Sequence, residues 1–249
     1  MRAFSAEAAL DYLRPLLDDP AIVANMAAIA THQYSPSPFV DRLVEGVRAS
    51  PYELPVYVTE YTSFQFGDLD RGQAADDEVG FMLDIAATAA SHYNEGVDAA
   101  LYWDGVDYYQ AGHAAITRWG LLQGPEEAFF PRKRYFGMLQ ILPYLQPGAR
   151  LLSSYLAGEQ PITPLAIHFP GDGITDVAIA LVNQGGPTQL DVSLRGLAGV
   201  DSLETYLTDA SDDMHHVGHV RFQNGYGQVF LPARSVVTLA PAAAPDEAP

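Results

Sequence analysis

An acid that directly follows an apolar, strand-forming run has little structural reason to be there. The run Leu54–Thr59 (LPVYVT) ends at Glu60. Two more runs end in the same manner: Ala27–Thr31 stops at His32-Gln33-Tyr34, and Ala99–Trp103 stops at Asp104. A carboxylate in such a place can act as a nucleophile or carry a proton. The indole of Trp103 offers a flat apolar face, and Asp104 beside it offers polar atoms, a pair that suits a ligand with both apolar and hydroxyl-bearing surface. Tyr61, Tyr108, Tyr109 and His113 stand on the adjoining loops, where they would widen a cleft.

The elements that must position these residues are legible in the pattern. Helical spacing runs over Ala6–Leu17 behind Ser5, over a short stretch from Pro20 to Met26, over Phe39–Ala49, over Asp76–Tyr93 and over Pro131–Leu145. Between the first four helices and after the fourth lie the three apolar runs, each polar only at its C-terminal end. Buried parallel strands have this texture, and crossover helices must join them. After Pro147-Gly148 the texture changes to short β-rich segments separated by Gly, Pro, Asn and Asp. They run over 149–156, 165–169, 176–183, 189–194, 203–208, 218–223, 228–231 and 235–239. The pattern predicts an antiparallel β-sandwich. The expected organisation is an α/β domain over 1–147, a β-sandwich over 148–240, and a Pro/Ala tail over 241–249 that is disordered.

Composition narrows the partners. The formal net charge is −18 with a pI near 4.5, and Lys133 is the only lysine. A field of that sign repels phosphate backbones, so nucleic acid is not an expected partner. No apolar run approaches the roughly 18 residues of a membrane span, so no membrane partner is expected either. Cysteine is absent, which excludes disulfides and thiolate metal sites. Residues 1–17 are interrupted by Glu7, Asp11 and Arg14 and read as an amphipathic helix rather than a signal peptide. The compartment is therefore open, and the export signal of a secreted parent enzyme would lie upstream.

The run Leu54-Pro-Val-Tyr-Val-Thr-Glu60-Tyr61 resembles the seventh strand of clan A glycoside hydrolases, which ends in the nucleophilic glutamate. Ala99-Ala-Leu-Tyr-Trp103-Asp104 is similar to the eighth strand, and Ala30-Thr-His32-Gln-Tyr34 to the end of the sixth. Pro131–Phe136, Leu145–Gly148 and Leu231–Leu239 resemble the last barrel helix, its exit, and the closing strand of the β-domain in family 30-like and cellulase-like members. The resemblance implies a partial (β/α)₈ TIM barrel followed by the β-sandwich, with the site at the C-terminal strand ends. It implies a retaining hydrolase of β-linked glycosides or polysaccharides. Glu60 would be the nucleophile, and Tyr34 would hold Glu60 ionised and oriented. His32, Trp103, Asp104 and Tyr61 would bind the sugar. No cofactor and no metal is expected.

Retention requires a second carboxyl about 5 Å from the first. By the resemblance, that acid/base glutamate belongs to a fourth barrel strand that this chain lacks, so the chain reads as a fragment, inactive or nearly so alone. Its open strand edges would invite self-association. The alternative is a non-catalytic carbohydrate-binding or interaction module derived from such an enzyme. Three other clusters are set aside. Asn94-Glu95 imitates an acid/base pair but leads into a strand, at the opposite end from the site. Glu126 and Glu127 suit solvated loop charges. His215, His216 and His219 have near-ligand spacing, but a separation of three puts strand side chains on opposite faces.

Overall fold

A computed structural model describes residues 6–34, 39–63, 77–107, 118–124, 128–170, 176–197 and 199–242. Ser5, Tyr108, Tyr109, His113, Glu126, Glu127 and most of the expected tail lie outside them. The chain forms two compact units, one of residues 1–74 and 91–120 and one of residues 75–90 and 121–249.

The first unit opens with α1 (Ala6–Leu17) and α2 (Pro20–Val23), followed by β1 (Ile29–Gln33), α3 (Phe39–Arg48) and β2 (Val56–Tyr61). The last turn of α4 (Glu78–Asn94) and then β3 (Ala99–Tyr102) complete it. Asp19 caps α2 by accepting the Ala21 N–H at 2.9 Å, and Pro20 sits at the first helical position, where no N–H is needed. The three strands form a parallel sheet in the order β1-β2-β3. Among the described residues, β1 and β3 therefore each pair only with β2. Val56 and Val58 are fully buried in the central strand. At the N-terminal ends of the strands, Asp98 accepts the Val56 N–H at 2.8 Å and pairs with Arg48 at 2.9 Å. These bonds lock that end of the sheet.

The second unit begins with the first turns of α4. Asp77 caps this helix, its Oδ1 accepting the Gly80 N–H at 2.9 Å. This bond, foremost among several causes, holds the Asp77 carboxyl below the usual range. A two-stranded ribbon, β4 (Leu122–Gln123) and β5 (Phe130–Pro131), precedes α5 (Lys133–Leu139). The expected single helix over 131–145 is thus shorter. It breaks into a 3₁₀ turn at Leu142–Tyr144, because Pro143 has no N–H to continue it. The helix α5 belongs to this unit.

Eight further strands follow: β6 (Arg150–Leu152), β7 (Ile162–His168), β8 (Val177–Asn183), β9 (Thr188–Ser193), β10 (Ser202–Thr208), β11 (His215–Arg221), β12 (Tyr226–Leu231) and β13 (Ser235–Ala240). Six of them make an antiparallel sheet in the order β11-β10-β13-β8-β7-β6, and β9 pairs with β12. Leu190 of β9 and Val229 and Leu231 of β12 share one apolar core with Val177, Leu181, Leu203 and Leu239 of the large sheet. The central strands β8 and β13 are buried at every position. The Gln140 side chain, just beyond α5, donates to Thr208 Oγ1 at 3.0 Å, and Thr238 donates to the Gln140 carbonyl at 2.8 Å.

Candidate active site

Of the six residues expected at the site, Glu60, His32 and Tyr34 are in contact at the C-terminal ends of the parallel strands, and Trp103 and Asp104 follow the end of the neighbouring strand. β1 and β2 are in register with His32 opposite Glu60. Tyr34 donates its hydroxyl proton to Glu60 Oε2. His32 Nδ1 lies 3.2 Å from the same oxygen. The His32 and Tyr34 rings meet edge to face at 6.0 Å. Trp103 follows on β3, its N–H bonded to the Tyr61 carbonyl at 2.8 Å, and the Trp103–Asp104 peptide bond is cis. The Trp103 indole remains 46% exposed, so it is a wall open to solvent rather than a core side chain. Asp104 follows it at the same rim.

The sixth residue is a correction. Tyr61 is 1% exposed and lies in the core, its ring edge-on to His92 at 5.0 Å and to Tyr102 at 5.7 Å. Burial, then the neighbouring phenols of Tyr93 and Tyr102, pushes its hydroxyl well above the usual range. The reason is local. Strict alternation from Val56 and Val58 would carry Glu60 to the buried face. The pairing shifts between Thr31 and His32 on one side and between Val58 and Tyr61 on the other. Such a shift re-aims side chains. It turns Glu60 to the open face and sends Tyr61 inward. Glu60 and Tyr61 also belong to β2, whereas the sequence pattern ends the strand at Thr59.

Two supporting residues escaped the sequence reading. Gln33 stands between His32 and Tyr34 but points the other way, and it is buried. Its Oε1 meets Nε2 of His92, in the last turn of α4. Burial pushes the His92 imidazole down to about 4, so it is neutral, and Nε2 carries the proton given to Gln33. The signal was present: an imidazole in a helix of Ala and apolar residues needs a partner, and the polar Gln33 on the inward face of β1 is one.

Electrostatics alone would nominate Glu95 as an acid. Burial, followed by the nearby Asp41, pushes its carboxyl up to about 7. Its side chain is exposed, however, so water screens much of that effect. It also precedes β3 by four residues, at the locked N-terminal end of the sheet. Two histidines of β11 have partners of their own: His216 sits 2.5 Å from Glu204, and His219 accepts from Arg221 at 3.2 Å.

No protein-family model and no curated protein sequence matches the chain. Solved structures of glycoside hydrolases share its fold. A family 30 endoxylanase from Clostridium papyrosolvens C71 is 17% identical, with a TM-score of 0.65 over 97% of this chain and 55% of its own. A family 30 subfamily 8 xylanase from Clostridium acetobutylicum is 17% identical, with a TM-score of 0.67 over 96% and 54%. A glucosidase from Croceicoccus marinus is 12% identical, with a TM-score of 0.62 over 96% and 57%. The strand motifs implied this kinship of fold. The chain spans about half the length of these structures.

Proposed function

We propose that this chain carries the nucleophile half of a retaining glycoside hydrolase that acts on β-linked glycosides or polysaccharides. Its parallel sheet would be the closing part of a (β/α)₈ barrel, and its all-β unit a β-sandwich. The observation that carries the reading is the Glu60 carboxylate at the C-terminal end of a parallel strand, met on one oxygen by Tyr34 and His32, with the exposed Trp103 at the end of the adjacent strand.

In the proposed reaction, Trp103 receives the apolar face of the sugar ring. Tyr34 and His32 hold Oε2, so Oε1 attacks the anomeric carbon. The C1–O bond to the leaving group breaks with its electron pair going to oxygen, and a C1–Oε1 bond forms. Water then hydrolyses this glycosyl-enzyme ester and regenerates the carboxylate. Protonation of the leaving oxygen requires a second carboxyl, which in this proposal the residues assigned here do not supply. Its loss costs about 10²–10⁴-fold on natural leaving groups. A dinitrophenolate leaving group needs no such proton, so the first step can be isolated.

The test uses that property. The chain is treated with 2,4-dinitrophenyl 2-deoxy-2-fluoro-β-glycosides of xylose, glucose and galactose, and its intact mass is measured. We expect a mass increase of one fluorosugar that is absent in Glu60→Gln. Folded protein that labels with none of them, or labels equally in the variant, overturns the assignment. Binding of oligosaccharide without labelling would instead favour a non-catalytic sugar-binding module.

A further inference from the structure

The ribbon of β9 and β12 turns an unusual face to solvent. Along β12, Val229 and Leu231 enter the core, while Tyr226, Gln228 and Phe230 point out. Tyr226 is 63% exposed and Phe230 58%, although core space takes their neighbours. Opposite them in register stand Ser193, Asp191 and Gln189, all exposed. Tyr226 and Phe230 are four residues apart, which in a strand is about 13 Å. Between the two rings, Gln228 Nε2 donates to Asp191 Oδ1 at 2.7 Å, so both polar heads are oriented. A cavity of about 360 Å³ opens alongside, walled by Gln228 and Phe230 on one side and by Val217 and His219 of β11 on the other.

We propose that this face is a second, non-catalytic binding surface for a neutral β-linked polysaccharide chain. Each ring stacks on a pyranose, and the Gln228–Asp191 pair takes hydroxyls of the unit between. Three features select that occupant. Two separated rings with hydrogen-bonding groups between them match an amphipathic polymer that alternates C–H faces and hydroxyls. A spacing of about 13 Å exceeds one sugar ring, so the ligand is a chain rather than a monosaccharide. The six outward residues include Asp191 and no Lys or Arg, on a protein of net charge −18, which disfavours a polyanion. The inference rests on the carbohydrate reading above but not on Glu60.

The experiment is affinity electrophoresis of the full chain in native gels containing linear xylan, mixed-linkage β-glucan or β-1,6-glucan, in a Glu60→Gln background to prevent turnover. We expect retardation by at least one polymer. Tyr226→Ala with Phe230→Ala should weaken it at least about tenfold in apparent affinity, since truncated aromatic anchors each commonly cost that much. Tyr226→Phe with Phe230→Tyr keeps both rings and should keep most of the retardation, which separates lost stacking from misfolding. With Glu60 intact, the double alanine variant should still label with the fluoroglycoside. Retardation that survives the double alanine change but disappears in Trp103→Ala would place all binding at the Glu60 site and overturn this proposal while sparing the catalytic one. No retardation by any polymer in a chain that labels overturns it as well. So does a double variant whose only change is loss of self-association in sedimentation, because the face would then join two copies.

Discussion

Glu60 and Glu78 make an instructive pair. Each lies in a different unit, and each carboxylate is met by two side-chain donors. Glu78 takes Arg134 at 2.7 Å and Arg132 at 3.4 Å, and those guanidiniums are 0% and 8% exposed. Arg134 is stacked besides at 3.8 Å over the Phe81 ring. Glu60 takes a phenol and an imidazole that are both half exposed. An arginine is charged at every ordinary pH, and when buried it needs its partner permanently. A phenol and an imidazole, both half exposed, meet their carboxylate at the edge of solvent instead. The first arrangement is built into the fold, and the second leaves its carboxylate at the rim that the proposed function uses.

Substitutions can break this contrast from either side. The largest expected effect is on Glu60→Gln, which should reduce fluoroglycoside labelling by roughly 10³-fold or more while stability changes little, because the group is near solvent. If stability falls and labelling survives, Glu60 is structural and the contrast fails. Glu78→Ala should behave oppositely. It removes one carboxylate from two buried guanidiniums and should cost up to about 3 kcal/mol in urea unfolding, with the labelling rate of the folded fraction kept. Tyr34→Phe comes next. A hydrogen bond to a charged group contributes about 1.5–3 kcal/mol, so labelling should slow by roughly 10–100-fold. Tyr61→Phe on the opposite face should not slow it.

Much of this was legible because the chain keeps its polar residues where structure tolerates them. All three parallel strands follow from apolar runs with polar C-terminal ends, and each of the eight late strands overlaps a segment marked out by β-rich residues and turn residues. Glu60, Tyr34 and His32 meet because β1 and β2 are parallel, and Trp103 shares their rim because β3 runs the same way. What was not legible depends on register. The shift beside Thr31 and Val58 exchanges Glu60 and Tyr61 between faces, and no alternation rule anticipates it. The break of α5 before Pro143 was available in the sequence but outweighed by the apolar spacing around it. The β4–β5 ribbon has only two residues per strand, too few to show a period. The His92–Gln33 pair joins residues 59 apart, and pairing at that distance is set by packing.

That pair gives the smallest expected effect and separates the two regions by pH. His92 is depressed from the ordinary histidine value to about 4 by burial, so the folded state prefers the neutral ring. Between about 6.5 and 4 the unfolded chain binds a proton that the folded chain does not. Its contribution is therefore complete above about 6.5 and lost as the pH falls through about 4. From pH 7 to 5.5 the loss should be about 1 kcal/mol. The Arg134 and Arg132 guanidiniums keep their charge across this range. Acidification should accordingly loosen the sheet beneath Glu60 before the network around Glu78. Divided by the intrinsic rate, amide exchange at Gln33 and Tyr61 should rise about fivefold between pH 7 and 5.5, while at Thr208 and Thr238 that ratio should hold constant. His92→Gln, which keeps a donor for Gln33 but does not titrate, should remove the difference. If both regions loosen together in that variant, His92 does not set the acid limit of the site.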